Sequence, residues 1–368
     1  MARRWTSKLG LVLTGLALAG CGGAAPAAST PQSGSAAASA AGKPAAASAS
    51  AATKPAASAS AAASAASIGQ LTVSYGNVSG DSVPLWVAAD EGIFKKNGLD
   101  VKPLLVKGGT ESMAALLSNN AQLSEGGGAE AAGATVNGAD IVVIMTGTPV
   151  YPYKLYVPAD IKTAADLKGK RIDVTNFASS VDVATRVGLK KLGLSVGDVT
   201  LVTMGTHTVG TAALLSGNIQ GRMDNMPGAV KLEASGYHGL LDLAAEKLPA
   251  ANTGINVQRA WLNAHRDVAQ KFIDSMIQAT VQVKKDKAGT IAVMKKEFKS
   301  QDTDAMTKTY DFFANEVFAT QPFPKPDAFA DIKQYLSDKQ PKIKNLNLNT
   351  LLDPSLVQSA VDRGVDKQ

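Results

Sequence analysis

Two adjacent hydroxyls, Ser179 and Ser180, stand between a short alternating segment, Arg171-Ile-Asp-Val174, and a run with helical spacing. Val181, Ala184, Gly188 and Leu192 share one face of that run, Val187 widens it, and Gly193 ends it. Ser179 followed by Asp182 has capping-box spacing, as does Thr163 followed by Asp166 before the strand. A strand end leading into a helix N-terminus leaves backbone N–H groups unfilled. With two hydroxyls and Asn176 beside them, such a place can hold a polar or anionic small molecule. The same serines can equally do no more than cap a helix.

Other strand ends offer similar groups, and α/β sheets bind ligands beyond the carboxyl ends of parallel strands. Tyr75, Asn77 and Ser79 follow the alternating segment Leu71-Thr-Val-Ser-Tyr75. Gly109 and Thr110 open a helix, and Gly127, Gly128 and Ala129 belong to a glycine run after a strand around 122–124. Asp224, Asn225 and Met226 precede Pro227. Each has a plain alternative: Thr110 a cap, the glycines a turn, Asp224 a partner for Arg222, Tyr75 a packing residue. No Lys or Arg falls in these loops, which argues against a strongly charged anion such as nitrate. A neutral or zwitterionic organic molecule, or a sulfonate held by helix N-termini, fits better. Arg186, two turns into its helix, is expected to face solvent or Asp182.

Catalysis finds little support. The glycine run lacks the Gly-Lys-Ser/Thr of a phosphate loop. His207, His238 and His265 have no metal-ligand spacing, and there is no Gly-x-Ser-x-Gly elbow. His207, at a strand end, is the one histidine placed to touch a ligand. No cofactor or metal is expected.

The elements positioning these residues alternate. Leu71–Tyr75, 99–106, 122–124 and the apolar run 139–146 read as strands. Pro84 to Lys96 and 108–119 read as helices, with Leu85, Ala88, Ala89 and Phe94 packed. This alternation implies an α/β fold with mostly parallel sheets. An echo at a constant offset of 98 residues pairs Asp100 with Asp198, Thr110 with Thr208, Ala114–Ser118 with Ala212–Ser216, Asn120 with Asn218 and Gln122 with Gln220. Lys95-Lys96-x-Gly98-Leu99 likewise matches Lys190-Lys191-x-Gly193-Leu194. Two similar βαβ lobes account for it. The chain is expected to cross between them at 148–157 and return at 252–258. An amphipathic helix follows over 260–285 with Trp261 and Phe272 in the core, then helices around 302–318 and 327–337.

Ahead of this body, residues 1–20 have a basic start (Arg3, Arg4, Lys8) and a short apolar run ending Leu18-Ala19-Gly20-Cys21, a secretory signal with a lipobox. Cys21, the only cysteine, stands where an acylated residue belongs, and its solitude excludes disulfides and cysteine chemistry. Residues 22–67 are almost wholly Ala, Ser, Gly, Pro and Thr, a composition that cannot bury a core. As a flexible tether they would span about 40 Å. Leader and tether carry five basic residues and no acids. Subtracting those five from 37 leaves 32 Lys and Arg against 31 Asp and Glu, so nothing in the body argues for nucleic acid or a polybasic membrane surface.

Three segments carry a family resemblance: ADEGIFKKNGLDV (89–101), DLKGKRIDV (166–174) with an aromatic, paired serines and KKLGL after it, and ALLSGNIQG (213–221). The chain resembles the solute-binding lipoproteins of ABC importers for nitrate, sulfonate, taurine and thiamine-pyrimidine, from about Leu71 to the end of the 260–285 helix. The resemblance implies a hinged, two-lobed binding protein of the type II periplasmic class. Each lobe would be a mostly parallel sheet flanked by helices: residues 68–152 with 256–368 as one lobe, 153–255 as the other. It also implies that the strand-end loops line a cleft and that C-terminal helices pack on the first lobe. The partners expected are a small ligand, a membrane permease and the lipid anchor, with the protein monomeric, lipid-anchored and extracytoplasmic. Two alternatives stand beside import: a sensory or scavenging binding lipoprotein, and a pyrimidine-synthesising enzyme of the same fold, whose cysteine- and histidine-containing motifs are missing here.

Overall fold

A computed structural model describes residues 69–368. The signal, lipobox, Cys21 and tether lie outside the described residues. Among the described residues, ten strands form two five-stranded sheets. The first contains β1 (Leu71–Tyr75), β2 (Val101–Leu105), β3 (Leu123–Gly126) and β4 (Ile141–Val150). The second contains β5 (Lys154–Val157), β6 (Arg171–Asp173), β7 (Thr200–Val202), β8 (Gly221–Asp224) and β9 (His238–Asp242). β10 (Pro249–Gln258) returns to the first sheet, giving the orders β2-β1-β3-β10-β4 and β7-β6-β8-β5-β9. In both, three parallel strands are followed by one antiparallel to its neighbours. β4 is buried throughout its apolar half, as a strand covered on both faces must be.

The helices are α1 (Val83–Asp90), α2 (Ile93–Lys96), α3 (Gly109–Leu117), α4 (Gly128–Val136), α5 (Ser180–Lys191), α6 (His207–Leu215) and α7 (Gly228–Ala234). The 98-residue echo is structural. α3 and α6 share that offset at both ends, as do β3 and β8. Asn120 Nδ2 donates to Ser118 Oγ at 3.0 Å, and Asn218 Nδ2 to Ser216 Oγ at 3.0 Å. Gln122 Oε1 accepts from the Thr72 backbone at 2.9 Å, and Gln220 Oε1 from Arg171 at 3.3 Å. Both Lys-Lys-x-Gly-Leu segments end a helix on a left-handed glycine, Gly98 (φ 74°) and Gly193 (φ 73°), where a side chain would be strained.

Three expectations need correction. Residues 84–96 are two helices, because Gly92 takes φ 69° between them. Residues 252–258 are the body of β10; the return crossing is 243–248. The polar run Asn252-Thr253-Gly254 sits at bulges in the β10–β4 pairing, and a Cβ on Gly254 would stand 2.2 Å from Met145 O. The glycine there marks a close backbone approach, not a linker. The 260–285 helix is two, α8 (Arg259–Ala264) and α9 (Arg266–Lys285), with Phe272 buried and Trp261 half-buried against His265.

α9, α10 (Lys287–Glu297) and α11 (Thr303–Phe312) pack on the first sheet, where Phe272, Ile273, Met294 and Met306 meet Val73, Ile144 and Val257. A second core joins β4 to Leu155, Ile172 and Met223 of the other sheet, and takes in Ile332 and Leu336 of α12 (Ala330–Leu336). No helix of the described residues is long and apolar enough to cross a membrane.

Candidate functional site

A cavity of about 60 Å³ lies between the sheets, at the carboxyl ends of their parallel strands. The first lobe brings Gly76 and Asn77 after β1, the turn Ser79–Ser82, Gly109 at the start of α3, and Glu125 to Gly127 with Glu130 where β3 turns into α4. The second brings Thr175, Ser179 to Val181 and His207; Tyr153 comes from the crossing and Asn252 and Thr253 from β10.

Three side-chain hydrogen bonds join the lobes around this space. Asn77 Oδ1 accepts from the His207 backbone N–H at 3.2 Å. Asn225 Nδ2 donates to Asp81 Oδ2 at 3.0 Å. Ser180 Oγ donates to Glu130 Oε2 at 3.3 Å. Glycines permit the approach. A Cβ on Gly127 would stand 1.9 Å from Ser180 Oγ, and one on Gly108 2.5 Å from Asn176 Nδ2.

The cavity's electrostatics are acidic. Asp81, 8% exposed, accepts from Ser79 Oγ at 3.0 Å and Asn252 Nδ2 at 3.2 Å as well as from Asn225. Glu125 accepts from Ser82 Oγ at 2.5 Å. Burial pushes its carboxyl up to about 8; the Ser82 hydrogen bond opposes this and the Asp81 charge adds to it. Burial pushes Glu130 up to about 7 against hydrogen bonds from its own backbone and from Ser180. Tyr153, its pKa raised well above the ordinary value by burial, stacks on the His207 ring at 6.0 Å. No Lys or Arg lines the cavity.

The nearest arginine is spent. Arg222, with no exposed surface, pairs with Asp173 at 3.0 Å and Asp224 at 3.2 Å. Its Nη2 lies 3.0 Å from His207 Nδ1. The same Nδ1 stands 3.5 Å from Asp224 Oδ1. Asp224 also accepts from Thr211 Oγ1 at 2.6 Å. Burial raises the Asp224 carboxyl, but Arg222, His207 and Thr211 together hold it below the ordinary range.

Of the residues expected at the site, Asn77, Ser79, Gly109, Gly127, Ser179 and Ser180 line the cavity. Asp224 does not, because Arg222 claims its carboxylate; Asn225 reaches the site through Asp81, and Met226 packs among apolar residues behind it. Tyr75 is core, its ring edge-on to Trp86 at 6.2 Å. Thr110 points outward on α3 and is exposed. Gly128 packs against Phe329, Ala129 is fully buried, and Asn176 donates to Gly205 O at 3.3 Å at the lobe contact. Ser179 caps α5, accepting from the Asp182 N–H at 3.3 Å. Arg186 is buried on Asp182 at 2.7 Å, not in solvent. Among the described residues no group of three or more His, Asp and Glu is placed to hold a metal.

The sequence matches the family described as NMT1/THI5 like over residues 79–287. The chain belongs to that family. No curated protein matches it by sequence. Among solved structures it is similar to the ligand-binding component of an ABC-type import system from Staphylococcus aureus, with zinc bound. That pair has a TM-score of 0.67 and 17% identity, over 79% of this chain and 98% of that one. It is similar to the alkanesulfonate-binding protein SsuA of Xanthomonas axonopodis pv. citri bound to MOPS, with a TM-score of 0.64 and 20% identity over 79% and 97%. It is also similar to the desulfurization enzyme DszB, at 0.59 and 18% over 80% and 99%.

In this NMT1/THI5-like chain the acids Asp81, Glu125 and Glu130, with Asn252 and Tyr153, were not anticipated at the cavity. One signal for Glu125 was available. It is the single charge in the strand-end run Leu123-Ser-Glu-Gly-Gly-Gly128, and a buried strand rarely keeps an acid without use.

Proposed function

We propose that the protein is an extracytoplasmic solute-binding component of an ABC importer, closing two lobes over a small polar organic molecule and presenting it to a membrane permease. One observation carries this reading: a small polar cavity bridged by Asn77–His207, Asp81–Asn225 and Glu130–Ser180 hydrogen bonds from opposite lobes. A cleft held shut by contacts around its contents is what capture and release require. The fold shared with an import-system component and with an alkanesulfonate-binding protein supports it. The alkanesulfonate of that neighbour does not transfer easily, since three carboxyls and no cation line this cavity. Residues 69–368 contain no cysteine, so thiol catalysis has no residue to use there.

The signal and lipobox point to a lipid anchor at Cys21, with residues 22–67 as tether to a monomeric receptor body. Labelling with a palmitate analogue should mark the wild type and not Cys21→Ser; equal labelling of both contradicts the anchor.

The binding role is tested by thermal unfolding against cationic, neutral, zwitterionic and anionic solutes of a few heavy atoms. A solute at 100 times its Kd adds about 2.7 kcal/mol, a shift of several degrees for a body of this size. A single responding class is the expected result. No shift from any class contradicts the receptor role. A receptor without an importer would show the same binding, and uptake of the responding solute in cells lacking the protein separates the two.

A further inference from the structure

Asn252, which lines the cavity, carries a buried acceptor without a donor. Asn252 is 3% exposed, and its orientation is set by Asp81: Nδ2 donates to Asp81 Oδ1 at 3.2 Å and to Thr253 Oγ1 at 3.3 Å. Turning the amide over would set Oδ1 against the carboxylate, so Oδ1 stays where it is, buried and without a partner. A buried amide oxygen without a donor forgoes the hydrogen bond that water would have supplied. Beside it lie Asp81 and Glu125, and Glu130 lines the same cavity. None has a cationic partner. The one nearby guanidinium, Arg222, is committed to Asp173 and Asp224.

From the receptor reading given above, we propose that the captured solute is a small organic cation with N–H donors, a primary ammonium compound, held by Asp81, Glu125 and Asn252 Oδ1. The ammonium group offers three donors and no acceptor, which suits a wall of acceptors. It also supplies the counter-charge that the buried carboxyls lack. A cavity of about 60 Å³ has room for about four to six water-sized groups, which limits the solute to a molecule of that scale.

Proton linkage distinguishes this from an anion held by protonated acids. Burial leaves Glu125 at about 8 and Glu130 at about 7, so both carry protons over much of the neutral range. A cation must expel those protons, whereas an anion needs them. The other titratable groups that line the cavity are Asp81 on the turn after β1, Tyr153 on the crossing and His207 at the start of α6; Tyr75 on β1 couples to Glu125 from beneath.

The test is calorimetry on the purified protein at pH 6.5 and 8.5 with ethanolamine, ethylene glycol and methanesulfonate, similar in size and different in charge. Ethanolamine is expected to bind at least tenfold tighter than ethylene glycol, more tightly at pH 8.5 than at 6.5, and with net proton release. Glu125→Gln, which keeps the shape, should cost ethanolamine at least tenfold and ethylene glycol less than twofold. Tighter binding of methanesulfonate or ethylene glycol, or an ethanolamine affinity that falls as pH rises, overturns the cation and leaves a receptor for another solute class. Failure of all three probes, together with every class in the thermal screen, overturns the receptor reading and the cation with it.

Discussion

Glu125 shows how a single side chain carries the site's chemistry and its cost. Its carboxyl is raised from an ordinary 4.5 to about 8 because burial, first of all, disfavours the charged form. The folded state therefore holds that proton more tightly than the unfolded chain. The stabilisation is fully present below about pH 4.5 and is lost as pH rises through about 8. The empty protein should lose stability across that window, by an amount on the order of a few kcal/mol, and Glu125→Gln should flatten the decline. Glu130, raised to about 7, keeps a smaller slope below neutral in the variant. Urea melts from pH 5 to 9 check this; parallel curves for the two proteins would contradict it. The serines were legible as a pair but not in their roles. Local spacing identified a helix start, and spacing alone cannot say that Ser179 turns its hydroxyl to the Asp182 N–H while Ser180 reaches across to Glu130. The acids were illegible for a related reason. Asp81 and Glu125 are 44 positions apart in sequence, and only the β1–β3 pairing brings their loops together.

At the scale of elements, the strand ends and helix starts were readable from period and punctuation, and the 98-residue echo anticipated two similar lobes. What failed were positions where a glycine has a tertiary cause. Gly254 reads as a linker residue in sequence, but in the fold it lets β10 lie against Met145 O. Gly127 is the useful case. Its backbone is extended (φ −84°, ψ 161°), open to any residue, so alanine is opposed by neighbours alone: Ser180 Oγ of the opposite lobe would be 1.9 Å from the new Cβ, with Glu130 Oε2 at 2.5 Å and Asn252 O at 3.0 Å. Gly127→Ala should fold with a loss of about 1 kcal/mol or less, the cost of exchanging a glycine helix cap for alanine. It should weaken solute binding at least tenfold, about 1.4 kcal/mol, by holding the lobes apart. Unimpaired binding in this variant would mean that the α4 and α5 starts do not meet in the bound state.

Among the described residues, two sheets repeat one topology and are joined by two crossings, with the cavity where they face. That architecture was legible because the repeat preserves hydrogen bonds as well as residue types: Asn120–Ser118 and Asn218–Ser216 fix the same turn in each lobe. The cavity's charge was not legible, since it arises only when loops from both lobes and β10 converge. Around the cavity the lobes meet through a few polar contacts, beside the apolar core that joins the two sheets, so closure there should depend on what fills the space. The most direct measurement is small-angle scattering of the purified protein, alone and saturated with the solute that shifts its melting temperature. The two-lobe account predicts a smaller radius of gyration with solute, and no contraction on adding the same solute to Gly127→Ala. Identical profiles for the empty and saturated wild type would contradict it.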